Sequence, residues 1–237
     1  MKDRALLIIH GFGGDEQEIL YLHRYLQRQA MDSFWIRLTG HGEEKQVFAQ
    51  ATYLDWLNDV EEKIIELEQE YEHITCIGFS MGGLLTIQQS HRVSVDQIVL
   101  CSTPIHLYNF PVIFYDISHG LFSKDKERLN YYFQSTGTPF KACLQFLKLL
   151  SLTKKQLKSG LKEELKTNML ILQNKRDETT HVKSADYLWK SSDGKASVRL
   201  YEGGTHQLFL GENKERAVTD MVDFIVEKSS SLNSAAY

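Results

Sequence analysis

The chain has 237 residues, and its 27 basic and 31 acidic residues are mixed throughout for a net charge of −4, so neither nucleic acid nor a stable membrane association is implied. Apolar residues make up 42%, with 12 Phe, 11 Tyr and 3 Trp among them, which fills one large domain and argues against two. The N-terminal apolar run from Ala5 to Ile9 is too short for a signal-peptide core or a membrane span, three cysteines form no disulfide framework, and no Cys/His spacing suggests zinc; the expectation is a soluble, cytoplasmic protein without a cofactor.

In chain order, Ala5-Leu6-Leu7-Ile8-Ile9 is continuously apolar, as a strand buried on both faces of a parallel sheet must be, and it ends in His10-Gly11-Phe12-Gly13-Gly14. Asp15 and Glu18 predict a capping box for a helix whose Ile19, Leu22 and Leu26 share a face. Phe34 to Leu38 predicts a second strand, followed by the turn Gly40-His41-Gly42. Thr52 then starts a helix with Tyr53, Trp56, Val60, Ile64 and Leu67 on one side. The strand Ile74-Thr75-Cys76-Ile77 breaks at Gly78-Phe79-Ser80-Met81-Gly82-Gly83, and Leu84, Leu85 and Ile87 resume as a buried helix. Gln97 to Cys101, Met169 to Leu172 and Ser197 to Tyr201 complete the strands. A closing helix is expected from about Asn213 to Glu227, with a frayed tail over 229–237. Strands alternating with helices mean crossover connections, hence an α/β fold with a doubly wound, mostly parallel sheet of about six strands.

One segment interrupts the alternation. Between Pro104 and Thr167 stand all three prolines and ten aromatic residues, with no run that predicts a buried strand. The expected division is a core of 1–104 and 168–228 with a partly helical cap, 105–167, over the crevice at the C-terminal edge of the sheet. An aromatic surface of this density needs the sheet top or a ligand to cover it, so Phe110, Phe114, Phe133 and Phe146 are candidate substrate-binding residues. Lys124, Lys126, Lys141, Lys148, Lys154, Lys155 and Lys158 are assigned to the solvent face of this cap.

The break at Ser80 has the form of a nucleophile elbow, a sharp strand-to-helix turn that lifts a serine hydroxyl above the sheet and leaves room only for small neighbours such as Gly78 and Gly82. A G-x-S-x-G match alone arises by chance in roughly one chain in ten of this length, so the flanking strand and helix carry the argument. A serine needs a histidine to take its proton and a carboxylate to orient that histidine. His206 follows the sixth strand in Gly203-Gly204-Thr205-His206, and Asp177 follows the fifth in Asn174-Lys175-Arg176-Asp177, with Glu178 and Asp186 as alternative acids. His10 is assigned a structural hydrogen bond, and His23, His73, His91, His106, His119 and His181 have no motif around them.

The order Ser, Asp, His, each after a successive buried strand, resembles the α/β-hydrolase superfamily, most closely its small carboxylesterases and monoacylglycerol-lipase-like members, over nearly the whole chain. The resemblance implies an α/β-hydrolase core in which the backbone N–H groups of Phe12 and Met81 form an oxyanion hole, and it matches Thr39-Gly40-His41-Gly42 to the family's GHG turn. The two-stranded start common in the superfamily is missing, which implies a short N-terminus. Serine at the elbow in place of aspartate argues against dehalogenase or epoxide-hydrolase chemistry. The function implied is a carboxylesterase acting on short to medium apolar acyl groups through an acyl-enzyme. The alternatives are a thioesterase, a monoacylglycerol lipase or a ligand sensor that keeps the triad without turnover. The oligomeric state is not legible.

Overall fold

The structure is a computed structural model and describes residues 2–14, 16–108 and 138–235. Six strands form one sheet: β1 (Lys2–Ile9), β2 (Ser33–Ile36), β3 (Tyr71–Phe79), β4 (Val95–Cys101), β5 (Met169–Asn174) and β6 (Ser197–Tyr201). Their order is β2-β1-β3-β4-β5-β6, and every pairing is parallel. The chain goes from β1 outward to β2, then returns past β1 to start β3. The direction of winding therefore reverses between β1 and β3, and a crevice opens beyond their C-terminal ends, where α/β sheets bind ligands.

Alternation along the strands sorts the side chains into two cores. Ala5, Leu7, Ile9, Ile74 and Cys76 face one side, under α3 (Tyr53–Leu67) and α4 (Met81–Gln89), with the one-turn α2 (Lys45–Phe48) at the margin. Leu6, Ile8, Ile77 and Phe79 face the other, under α1 (Gln17–Arg28) and the C-terminal helix. Helix α3 begins as its sequence requires, with a reciprocal box between Thr52 and Asp55, and it buries Trp56, Val60, Ile64 and Leu67. Helix α1 starts at Gln17 with Glu16 as its N-cap, unassisted by a side-chain bond. Asp15 of the expected box lies outside the described residues, and Glu16 is ion-paired with Arg37.

Of the segment 105–167, residues 138–167 hold α5 (Phe140–Ser159) and α6 (Glu163–Thr167). Helix α5 lies chiefly against α4, and its Ala142, Leu149, Leu150 and Leu157 join the same core as the sheet face beneath. Gln156 Nε2 donates to the Ile87 carbonyl at 2.8 Å and Gln88 Nε2 to Thr153 Oγ1 at 3.2 Å, which stitches the two helices together. This part of the segment is core as much as cover. Lys141, Lys148, Lys155 and Lys158 are exposed on it, whereas Lys154 is half-buried and burial lowers its pKa; Lys124 and Lys126 lie outside the described residues.

Helices α7 (Lys183–Ser191) and α8 (Lys214–Ala235) complete the layers. Within the stretch expected to fray, α8 runs on through Ser229 to Ala235. Once Ala217, Val218, Met221, Phe224 and Ile225 are packed, each further residue adds a backbone bond to an existing helix, and Ser229 Oγ returns a bond to the Ile225 carbonyl at 2.8 Å. Among the described residues no helix is long and apolar enough to cross a membrane.

If α5 belongs to the core, Leu149→Ala should lower the free energy of unfolding by about 2–5 kcal/mol in urea denaturation. A loss below about 1 kcal/mol would show that the helix only rests on the layer beneath it.

Candidate active site

The site starts from a steric constraint at the end of β3. Ser80 sits at φ 51° and ψ −118°, a left-handed conformation that costs a non-glycine residue of order 1–3 kcal/mol unless its surroundings enforce it. The enforcement is visible in the glycines. A Cβ on Gly78 would collide with the Gly82 and Gly83 backbone, one on Gly82 with the Ile9 carbonyl, and one on Gly83 with Thr103 Oγ1. Helix α4 is thus pressed against the ends of both β1 and β3, and the chain has to turn within one residue. Gly78 and Gly82 were expected from the elbow pattern; Gly83 was not, because its partner Thr103 is twenty residues away. The Ser80 N–H donates to the Cys101 carbonyl at 2.8 Å, so the turn remains tied to β4.

The hydroxyl so presented meets the loops after β5 and β6. Ser80 Oγ lies 2.9 Å from His206 Nε2, and His206 Nδ1 lies 2.9 Å and 3.0 Å from the two carboxylate oxygens of Asp177. Asp177 is buried, and its Oδ1 also accepts the N–H groups of Thr179 at 2.9 Å and Thr180 at 2.7 Å. Nδ1 faces two carboxylate oxygens, which can only accept, so the geometry fits the Nδ1–H tautomer of His206 and leaves Nε2 to accept from the Ser80 hydroxyl. The His206 ring packs against Phe79 in a tilted arrangement, centroids 5.2 Å apart and planes at 41°. Of the alternative acids, Asp186 pairs with Lys190 on the outside of α7, and Glu178 accepts the His206 backbone N–H at 3.0 Å and does not bond the ring.

The loop after β1 is held by its histidine and its aromatic ring. His10 Nε2 accepts the Leu38 N–H at 3.1 Å, so Nδ1 carries the proton and donates to the Gly11 carbonyl at 2.8 Å, the structural role expected of it. Phe12 packs among His41, Phe48, Trp56 and Phe146, with ring centroids 5.3 to 6.2 Å apart. The turn carrying His41 is fastened to α3: Trp56 Nε1 donates to the Thr39 carbonyl at 3.0 Å, and Asp59 accepts the Thr39 N–H at 2.6 Å and its hydroxyl at 2.9 Å. Met81 is the first residue of α4, where a helix leaves its N–H without an intrahelical partner.

Above the serine is a cavity of about 310 Å³ lined, among the described residues, by Phe12, Ser80, Leu107, Phe146, His206 and their neighbours. Phe146 was expected there; Phe110, Phe114 and Phe133 lie outside the described residues. Cys143 and Leu147, also in the wall, were missed, although with Phe146 they share one face of α5 and that spacing was available to find them. Burial raises the Cys143 thiol to about 11, so it serves as an apolar wall and not as a thiolate. The remaining histidines are locally engaged where described: His23 with Ser33, His73 with Asp96, and His91 with the Gln88 carbonyl, while His119 lies outside the described residues.

Residues 2–124 match the family model described as serine aminopeptidase, S33. The chain belongs to this hydrolase family. Among curated proteins, the S33 chain is 23% identical over 233 residues to a carboxylesterase of Bacillus subtilis, covering 94% of this chain and 92% of that one. It is 26% identical over 209 residues to a thermostable monoacylglycerol lipase of Bacillus sp. strain H-257, covering 83% and 80%. Among solved structures, it superposes at a TM-score of 0.75 and 18% identity on one from work on the metagenome-derived lipolytic enzymes LipS and LipT, over 95% of this chain and 94% of the other. A soluble variant of monoglyceride lipase from Saccharomyces cerevisiae gives 0.69 at 16% identity, over 93% and 85%. These likenesses establish the α/β-hydrolase fold.

The buried His41 gives this site a pH signature. Burial, reinforced by the neighbouring His10 ring, lowers the His41 pKa from its usual 6.5 to about 3. Above pH 6.5 both folded and unfolded chains hold this ring neutral. Below it the unfolded chain takes up a proton that the folded chain refuses, and stability is lost as the pH falls toward 3. From pH 7 to pH 5 this one group should remove about 2 kcal/mol, measured by urea denaturation, and His41→Gln should flatten the pH dependence by that amount. Equal pH slopes for the two proteins would contradict the assignment.

Proposed function

We propose that this chain is a serine hydrolase that cleaves carboxylic esters with short to medium apolar acyl groups, through an acyl-enzyme on Ser80. The observation that carries the reading is the unbroken line from hydroxyl to imidazole to buried carboxylate, 2.9 Å at each step, at the floor of an apolar cavity. His206 takes the Ser80 proton as the oxygen attacks the ester carbonyl, and Asp177 stabilises the imidazolium that forms. The Phe12 and Met81 N–H groups receive the developing oxyanion, each typically worth a few kcal/mol of barrier. His206 then returns the proton to the departing alcohol. Water, deprotonated by the same ring, releases the acid and restores the serine.

The choice of ester over peptide rests on the walls. The family description names an aminopeptidase, but Phe12, Leu107, Cys143, Phe146 and Leu147 suit an uncharged acyl chain better than the free ammonium of a peptide N-terminus. The similarity to a carboxylesterase and to a monoacylglycerol lipase supports the same choice, and makes monoacylglycerols the natural lipid esters to assay beside synthetic ones. A cavity of about 310 Å³ stands at the lower end of the roughly 300–1,000 Å³ usual for ligand pockets, which favours the shorter chains.

On a nitrophenyl ester, Ser80→Ala should lose about 10⁴ to 10⁶ in kcat while folding normally, and Asp177→Asn should lose on the order of 10⁴. Turnover above about a hundredth of wild type in Ser80→Ala would end the assignment.

Chain length tests the pocket. Each buried methylene contributes roughly 0.8 kcal/mol, so kcat/KM should climb by up to about 15-fold per two carbons from acetate upward and then fall once the chain outgrows the cavity. Phe146→Ala should move that optimum to longer chains; a profile unchanged by the substitution would mean that Phe146 packs against Phe12 without reading the substrate.

A further inference from the structure

Asp177 and Glu178 are consecutive carboxylates, and they hold the same histidine at its two ends. Asp177 takes the ring at Nδ1, 2.9 Å away, and Glu178 Oε2 accepts the backbone N–H of His206 at 3.0 Å. The turn that sets their spacing is rigid. Asp177 Oδ1 caps the N–H groups of Thr179 and Thr180, Gln173 Nε2 donates to the Thr180 carbonyl at 2.8 Å, and Thr180 Oγ1 donates to the Ser102 carbonyl at 3.1 Å.

The loop that carries His206 is built differently. It reaches the histidine through Gly203 at φ 70° and Gly204 at φ 71°, residues that give the backbone its greatest freedom. Its approach is anchored by side chains: Glu212 Oε1 accepts the Gly204 N–H at 2.6 Å, and Asn174 Nδ2 donates to the Thr205 carbonyl at 2.7 Å. At His206 itself the backbone is held on both sides: its carbonyl accepts the Leu208 N–H at 2.9 Å, within the loop, and its N–H is held from outside the loop by Glu178. A ring tethered only through Nδ1 can pivot about that contact, and a swing of about 1 Å at Nε2 is enough to spoil the alignment with Ser80.

We propose that Glu178 is a positioning residue: by fixing the His206 backbone it keeps Nε2 on the Ser80 hydroxyl. The inference rests on the serine-hydrolase reading above. Glu178 is not among the described residues that line the cavity, so its effect falls on the chemical step and not on substrate binding.

The test is steady-state kinetics on a nitrophenyl ester, with thermal melting, for wild type, Glu178→Ala, Glu178→Gln and Glu178→Asp. Glu178→Ala should lower kcat by about 10-fold or more with KM changed by less than about 2-fold, and Glu178→Gln, whose amide oxygen accepts the same bond, should recover most of the loss. Glu178→Asp keeps the charge but withdraws the oxygen by one methylene, and should be slow like the alanine variant while melting like wild type. Wild-type kcat in Glu178→Ala, a loss carried by KM, or Glu178→Gln as slow as Glu178→Ala would each overturn the proposal. If wild type itself fails to cleave esters, the serine-hydrolase reading falls first and this inference with it; an active wild type beside an unaffected Glu178→Ala removes the inference alone.

Discussion

The contact between Gly82 and the carbonyl of Ile9 is the constraint on which the site depends. It brings the start of α4 against the end of β1 with no room for a side chain, and in doing so it fixes two things together: the left-handed turn at Ser80 and the departure of the His10–Phe12 loop. The crevice at the reversal of strand order would exist without this contact. What the contact adds is that a hydroxyl and the loop facing it are set by one packing event and cannot drift apart independently.

The two other participants arrive by a different route. Asp177 and His206 stand on loops after β5 and β6, strands that lie progressively further from β3 in the sheet, so each loop must reach inward. The short turn after β5 does so through backbone N–H groups gathered on one carboxylate oxygen. The longer loop after β6 uses glycines for its path and borrowed side chains, Asn174, Glu178 and Glu212, for its rigidity. Mobility needed to build the path is offset by bonds from elements already fixed, a common way for a flexible segment to hold a precise atom.

Much of this was legible in the sequence because the signals were local. Continuous apolar runs marked the buried strands, Thr52 marked the start of α3, and the glycines around Ser80 marked the elbow. What escaped depends on tertiary neighbours. Gly83 matters because of Thr103; Glu178 matters because the β6 loop folds back over it; and Leu149 reads as part of an aromatic, lysine-rich insertion until α5 is seen lying against α4. From Ser229 on, the serines look like a stop signal by composition, while the helix that packing has already nucleated runs on to Ala235. Three of the four aromatic residues assigned to substrate lie outside the described residues, so for the pocket Phe146 is the residue on which sequence and structure can be compared.

The central claim is that the strained serine is a nucleophile and not merely a tight turn. Incubation with a serine-directed phosphonate ester, followed by intact mass and peptide mapping, tests it without assuming a substrate. The account predicts one phosphonyl adduct per chain, located on Ser80. An unmodified protein after prolonged incubation, or an adduct on another residue, would contradict it.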